Sequence, residues 1–190
     1  MKRLTLVLAL FVAASTFASA QTSFSGVPSL DKSPMDMVYY PANYPVLKIQ
    51  EKVSTPPVAR AIYSRPQTAN RAIFGELIEY GKVWRLGANE ATEVEFFKDV
   101  KIGGKKIAKG RYTLYALINP TEWTMILNKE TDTWGSFNYN EKKDVVRVTV
   151  PVQPLDQVVD AFALFFEKAG NDLALIVEWD KVKVAMPIGL

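Results

Sequence analysis

Residues 100–128, VKIGGKKIAKGRYTLYALINPTEWTMILN, contain two successive hairpins and decide the fold class. Gly103 and Gly104 stand side by side between two short strand-like segments, and both tolerate the positive φ angles that a tight hairpin turn needs. Gly110 opens a longer strand-like segment, and residues 119–122 form the turn that leads into the next one. Because so many strands follow one another without helical periodicity, this stretch predicts an antiparallel all-β protein.

Most of the chain outside that stretch has the same β character. The one helical candidate is residues 73–80, which is short and bounded by glycine, so an ordered loop is an equal alternative. Together the segments predict an all-β, antiparallel, jelly-roll-like β-sandwich of roughly nine or ten strands with at most one short helix. Further strands are predicted at 46–53, 58–64, 93–96, 145–150, 161–166, 173–179 and 182–186.

The N-terminus has the three parts of a secretory signal peptide. Lys2 and Arg3 supply positive charge, residues 4–14 are apolar, and Ala18-Ser19-Ala20 is a small-residue cleavage site. The apolar run is shorter than the about twenty residues that span a bilayer, so we expect no membrane anchor in the mature chain. We predict a signal peptide at 1–20, a Pro- and Ser-rich leader at 21–45 and one β-sandwich domain at 46–190, exported to the periplasm or out of the cell.

Composition excludes several classes of function. The sequence has no His and no Cys, which removes the commonest general base, disulfide bonds and most zinc and copper sites. The 23 basic residues, less Lys2 and Arg3, almost balance the 20 acidic ones, so the mature chain lacks the positive charge that phosphate backbones attract. We therefore predict no metal, no cofactor and no nucleic-acid partner, and the oligomeric state is left open.

Residues 80–92, YGKVWRLGANEAT, place polar and aromatic side chains between two predicted strands. Arg85 offers a planar fork for a carboxylate or a phosphate, Asn89 offers a donor and an acceptor, and Glu90 accepts from hydroxyl groups. Loops held on a rigid β scaffold commonly bind ligands. In the alternative interpretation, Arg85 pairs with Glu90 and Asn89 caps a turn, so that the loop only supports the fold.

Two further clusters are candidate sites. Residues 134–140, WGSFNYN, interleave aromatic and amide side chains, which suits stacking of a sugar ring on Trp134 and hydrogen bonds to its hydroxyl groups. The alternative is a loop whose aromatic side chains cover the edge of the sandwich. Arg65 and Arg71 lie near one predicted loop, where they form either an anion site or solvated charges.

The same clusters carry a family resemblance. In chain order the resembling residues are Tyr63-Ser64-Arg65-Pro66, Arg71, Ile73-Phe74-Gly75, Tyr80-Gly81, Trp84-Arg85, Gly87-Ala88-Asn89-Glu90-Ala91-Thr92, Gly110, Tyr112 and Trp134-Gly135. Through them the chain resembles the bacterial family catalogued as domain of unknown function 2911, from about residue 33 to residue 187. It departs in the leader before Tyr63 and at Ala69-Asn70, where a glycine is expected. The resemblance implies an exported β-rich domain without an established activity, and it marks a polar signature of Arg65, Arg71, Arg85, Asn89 and Glu90.

Three functional hypotheses follow. The first is a non-enzymatic module that binds a small polar ligand, a glycan or an envelope partner, with the arginines facing the ligand, Asn89 and Glu90 orienting it and Trp134 stacking on it. The second is a polysaccharide hydrolase or lyase with Glu90 as acid or base and Tyr80 as proton donor. The third is a structural envelope protein in which Arg85 and Glu90 form a buried pair. Because no catalytic motif is recognisable, we favour the first hypothesis and assign no catalytic residue.

Overall fold

The computed structural model describes residue 26 and residues 28–190, so the predicted signal peptide at 1–20 lies outside the described residues. The described part contains one α-helix, α1 (Tyr44–Ile49), one 3₁₀ turn (Glu141–Lys143) and eleven strands. The strands are β1 (Met35–Tyr40), β2 (Ala59–Ser64), β3 (Val83–Trp84), β4 (Glu93–Phe96), β5 (Val100–Ile102), β6 (Lys105–Ile107), β7 (Gly110–Ile118), β8 (Glu122–Asn128), β9 (Asp144–Pro151), β10 (Gln153–Ala169) and β11 (Asp172–Ile188).

One layer is a seven-stranded antiparallel sheet, referred to below as the large sheet. Its order is β1-β2-β4-β7-β8-β9, and β3 also pairs with β7. The second layer contains the long β10–β11 hairpin and the short β5–β6 hairpin. An antiparallel bridge between Lys101 and Gly189 connects these two hairpins, and a bridge between Gln67 and Ala161 continues the layer beyond β10. The arrangement confirms the predicted all-β antiparallel sandwich.

The core lies between the two layers. Along β7, Leu114, Ala116 and Ile118 are fully buried in the main core, whereas the alternate residue Tyr115 packs in a separate small cluster. This alternation follows from the two-residue period of a strand, which sends successive side chains to opposite faces. The large sheet therefore has an inner face toward the core and an outer face that carries Tyr115.

Aromatic rings fill the centre of the core. Trp84, Trp123 and Trp179 are each at most 4% exposed, and they pack with Phe74 and Phe162 at ring-centroid distances from 5.2 to 6.2 Å. Two of the indole N–H groups find backbone acceptors, since Trp84 Nε1 donates to the Gly87 carbonyl at 3.1 Å and Trp179 Nε1 donates to the Asp160 carbonyl at 3.0 Å. These two buried indoles thus keep their hydrogen bonds, as the low polarity of the core requires.

The strand predicted at 46–53 is wrong, because α1 occupies the first half of that segment and no strand is formed in the second half. Pro45 lies in the first turn of α1, where its fixed φ suits a helix and its missing N–H costs nothing. None of the helix residues is buried, so the apolar side chains of this segment do not mark a strand face against the core. The structure also places β1 within the predicted leader, where it pairs with β2 over six residues.

The helical candidate at 73–80 is an ordered turn, in agreement with the alternative kept open for it. The Ile78 N–H donates to the Ile73 carbonyl at 2.9 Å, and Gly75 N–H donates back to the Ile78 carbonyl at 2.8 Å. The last three predicted strands are two strands of 17 residues each, β10 and β11. None of the helices among the described residues is long and apolar enough to cross a bilayer.

Candidate functional site

Residues 85–92, referred to below as the signature loop, connect β3 to β4 and are held by the strands around them. Ser64 Oγ donates to the Ala88 carbonyl at 2.5 Å and accepts from the Ala88 N–H at 2.6 Å, which fixes the loop to the end of β2. Gly87 has φ 149°, and a Cβ on it would lie 2.8 Å from Ser64 Oγ. The close approach of the two segments therefore explains why glycine stands at this position.

The signature loop also pairs with the chain between β8 and β9, residues 129–143, referred to below as the β8–β9 connection. Ala91 N–H donates to the Thr133 carbonyl at 3.0 Å, and Gly135 N–H donates to the Asn89 carbonyl at 2.8 Å. These bonds flank an antiparallel bridge between Glu90 and Trp134. Two clusters that are far apart in the sequence thus meet in one place, on the outer face of the large sheet.

The β8–β9 connection carries two exposed aromatic rings, which we call the aromatic platform. Trp134 is 60% exposed and Phe137 is 78% exposed, and the rings stack with their centroids 5.8 Å apart and their planes at 15°. Gly135, between them, has φ 68°, and a Cβ on it would lie 2.7 Å from Phe137 Cε2. The stack therefore depends on the missing side chain at Gly135.

Grooves lie on both sides of Trp134 and share Asp132, Thr133 and Trp134 in their walls. The larger groove has a volume of about 620 Å³ and is also lined by residues of the β8–β9 connection and by Tyr115. The smaller groove has a volume of about 390 Å³ and is also lined by side chains of the large sheet and the signature loop, including Met35, Ile62, Glu90 and Glu93. Both volumes lie in the range of small-molecule sites.

A partly buried polar network anchors the far end of the β8–β9 connection. Asp144 accepts hydrogen bonds from the Tyr139 hydroxyl at 2.6 Å, from Asn128 Nδ2 at 2.7 Å and from Arg147 Nε at 2.8 Å. Burial, together with the hydrogen bond to Asp144, raises the pKa of Tyr139 to about 12. Near the other end, the Tyr115 hydroxyl lies 3.0 Å from Thr133 Oγ1, so both ends of the connection are fixed to the sheet.

The two carboxylates of β4 form ion pairs with arginines of the neighbouring strands. Glu95 pairs with Arg60 of β2, and Glu93 pairs with Arg111 of β7 at 3.3 Å. Arg111 also pairs with Asp132, whose N–H donates to Glu93 Oε1 at 2.7 Å. Both strand carboxylates therefore already have a guanidinium partner within the chain.

The structure places the predicted site residues in two groups. Glu90 and Trp134 line the smaller groove together, and Asn89 supports it through its backbone carbonyl, while its side chain donates to Asp31 Oδ2 at 3.0 Å. The grooves beside Trp134 are lined by neither Arg65 nor Arg71.

Each of these two arginines binds groups of its own chain instead. Arg65 pairs with Asp36 at 3.1 Å and donates to the Phe162 carbonyl at 3.1 Å, which connects β1, β2 and β10. Arg71 donates to the carbonyls of Thr68 at 3.0 Å and Gln67 at 2.7 Å.

Arg85 lies apart from both groups. Its side chain is half-buried, its Nε atom is buried without a hydrogen-bond partner among the described residues, and burial lowers the pKa of its guanidinium. Glu90 is exposed, and within residues 28–190 no ion pair joins it to Arg85. The buried Arg85–Glu90 pair considered from the sequence is therefore not formed.

Several groove residues were missed by the sequence interpretation, chiefly Glu130 and Lys143. They lie in a polar stretch that has the composition of any surface loop, so only the pairing of the β8–β9 connection with the signature loop identifies them. Over the described part of the chain, no group of three or more acidic side chains is placed to hold a metal ion.

Comparison with known proteins assigns a family. A family model described as "Protein of unknown function (DUF2911)" matches residues 45–188, which is most of the 190-residue chain. No curated protein and no solved structure matched. The chain belongs to this family, as the resemblance of its sequence predicts, and the family description assigns no activity.

Proposed function

We propose that this member of the DUF2911 family binds a saccharide or a similar small polar ligand at the aromatic platform, without cleaving it. The observation that carries the proposal is the exposure of Trp134 and Phe137, since the other three Trp residues of the chain are buried in the core. Large aromatic side chains exposed together beside grooves are typical of interaction sites.

The chemistry around the platform suits a sugar. A flat aromatic stack offers an apolar face for the C–H side of a pyranose ring, and the amides of Asn138 and Asn140 in the larger groove offer donors and acceptors for hydroxyl groups. The backbone hydrogen bonds of Thr133 and Gly135 hold the platform against the signature loop before any ligand arrives. A site that is already ordered loses little conformational entropy on binding.

The arrangement favours binding over hydrolysis. A retaining or inverting glycosidase needs two carboxyl groups that are free to act as an acid and as a base or nucleophile. Next to Glu90 in the smaller groove, Glu93 and Asp132 are both paired with Arg111. Tyr80, the proton donor of the hydrolase hypothesis, lines neither groove beside Trp134.

The compartment is part of the proposal. The charged start, the apolar run at 4–14 and the cleavage site before Gln21 support export, so that the ligand would be a glycan of the cell envelope or its surroundings. Mass spectrometry of the protein recovered from its own cells should then find an N-terminus at Gln21. An intact Met1 on the accumulated protein would contradict export.

Calorimetric titration tests the binding function. Neutral oligomers of glucose, xylose and N-acetylglucosamine are titrated into the purified protein, into Trp134→Ala and into Tyr80→Ala. Tyr80 is a matched control because it is an exposed aromatic residue, at 41%, outside both grooves. We expect at least one oligomer to bind the wild type and Tyr80→Ala equally, and Trp134→Ala to bind it at least tenfold more weakly.

The same samples distinguish binding from catalysis. After incubation, the oligomers are analysed for new reducing ends and unsaturated products. Intact oligomers with retained binding support the proposal. Cleavage that is lost in Tyr80→Ala or in Glu90→Gln would establish the hydrolase or lyase hypothesis in its place. Binding by Trp134→Ala as tight as that of the wild type would show that the ligand does not bind at the platform.

A further inference from the structure

The walls of the two grooves carry more negative than positive charge. Four carboxylates line them, and they belong to Glu90, Glu93, Glu130 and Asp132. Lys143 is the one cationic side chain in those walls among the described residues. An anionic ligand such as a sugar acid would therefore meet repulsion in the smaller groove, whose walls carry Glu90, Glu93 and Asp132.

The cations near the grooves are already paired. Lys143 forms an ion pair with Glu130, and Arg111 is shared by Glu93 and Asp132. Glu90 differs from the other three carboxylates, because within the described part of the chain its side chain has neither an ion-pair nor a hydrogen-bond partner. An exposed carboxylate therefore remains available in the smaller groove beside the indole ring of Trp134.

The aromatic platform also favours a positively charged ligand. The face of an indole ring carries the negative part of a quadrupole and attracts ammonium groups that approach within about 6 Å of its centroid. The arginines that the sequence suggested as anion receptors do not offset this preference, since Arg65 and Arg71 bind groups elsewhere in the chain. The ring face of Trp134 and the carboxylate of Glu90 thus favour one kind of group in one groove.

We infer that the ligand of this site is an amino saccharide whose ammonium group binds between the carboxylate of Glu90 and the ring of Trp134. The inference rests on the proposed function and adds the charge of the ligand to it. The sugar ring stacks on the aromatic platform, and the ammonium group selects sugars with a free amine over their N-acetylated or carboxylated counterparts. Because Glu90 is exposed, the selective part of the affinity is sensitive to salt, whereas the stacking part is not.

The test compares matched ligands and matched variants. Oligomers of glucosamine, the same oligomers after N-acetylation, and oligomers of a uronic acid are titrated calorimetrically into wild type, Glu90→Gln and Glu122→Gln. Glu122 is an exposed glutamate at the start of β8, the end opposite the β8–β9 connection, so it controls for the loss of one negative charge. We expect glucosamine oligomers to bind about fivefold more tightly than the N-acetylated ones in wild type and in Glu122→Gln, and equally tightly in Glu90→Gln.

The outcomes separate the two proposals. Equal affinity for the free and acetylated oligomers in wild type, or tightest binding of the uronic acid, would overturn the ammonium inference and leave saccharide binding in place. If Glu90→Gln still prefers glucosamine oligomers, Glu90 does not bind the ammonium group, and the ammonium inference is overturned. Failure of every oligomer to bind the wild type would overturn both proposals. A preference lost in Glu90→Gln, and lost in wild type at high salt, would support both.

Discussion

Two of the aromatic stacks in the described part of the chain have nearly the same geometry but lie in opposite environments. In the core, Trp84 and Trp179 stack with their centroids 5.8 Å apart and their planes at 18°. On the surface, Trp134 and Phe137 stack at 5.8 Å and 15°. Trp84 is 4% exposed, whereas Trp134 is 60% exposed.

The difference between the stacks lies in what holds them. The core stack is surrounded by Phe74, Trp123 and Phe162, so apolar burial stabilises it. The surface stack is held by backbone hydrogen bonds of Thr133 and Gly135 to the signature loop and leaves its faces in water. This contrast is what the proposed binding role of the aromatic platform requires, because a stack that contributes little burial has its exposed faces free for a ligand.

The largest difference is expected from removing one ring of each stack. Trp84→Ala should lower the free energy of unfolding by about 4 kcal/mol, because it leaves a large cavity in the core. Trp134→Ala should lower it by less than about 1 kcal/mol, because most of the ring is already in water. Urea unfolding of both variants measures the difference, and comparable losses would mean that Trp134 is a structural residue.

A smaller effect is expected at the glycines. Gly81 and Gly135 both have positive φ, 74° and 68°, but a Cβ on Gly81 would meet nothing within 4 Å, whereas one on Gly135 would meet the ring of Phe137. Gly81→Ala should therefore cost about 1–2 kcal/mol for the backbone alone, and Gly135→Ala about 1 kcal/mol more. Gly135→Ala should also weaken saccharide binding, whereas Gly81→Ala should leave it unchanged. Urea unfolding and calorimetric titration of the two variants measure both effects. Equal saccharide binding by the two variants would show that binding does not need the stack.

The smallest effect concerns pH. Tyr139, which helps to anchor the β8–β9 connection, has a pKa raised to about 12, above the ordinary value of 10.0. Since the folded state holds this proton more tightly than the unfolded state, the contribution of Tyr139 is complete below pH 10 and is lost as the pH rises toward 12. The difference in unfolding free energy between wild type and Tyr139→Phe, about 1 kcal/mol at neutral pH, should shrink across that interval. A constant difference would contradict the role of the hydroxyl proton.

Local patterns predicted the fold class well and failed where tertiary structure decides. The glycine pair at Gly103-Gly104 and the alternation of Glu93 to Phe96 are local signals, and β5, β6 and β4 follow from them. The start of β10 was missed because its residues up to Val159 are mostly exposed and its register is irregular there, so they show no regular alternation. The segment at 46–53 was misassigned because polar and apolar residues alternate there without either set being buried.

The site was predicted in pieces. The stretch around Asn89 and Glu90 and the stretch around Trp134 were each chosen for their side-chain chemistry, and the structure joins them through the Glu90–Trp134 bridge. No local pattern predicts that pairing, because it depends on how the β8–β9 connection folds back over the large sheet. The arginines were expected to face a ligand because a guanidinium suits anions, yet in Arg65 and Arg71 the same chemistry binds carbonyl and carboxylate groups of the chain itself.

Acrylamide quenching of Trp fluorescence, with and without a bound amino saccharide, tests the central claim most directly. Three of the four Trp residues are buried, so the quenchable emission comes from Trp134, and Trp134→Phe identifies it. We expect a saturating glucosamine oligomer to protect this emission from acrylamide in the wild type. An oligomer that binds by calorimetry and leaves the emission of Trp134 fully quenchable would show that the ligand binds elsewhere and that the aromatic platform is not the site.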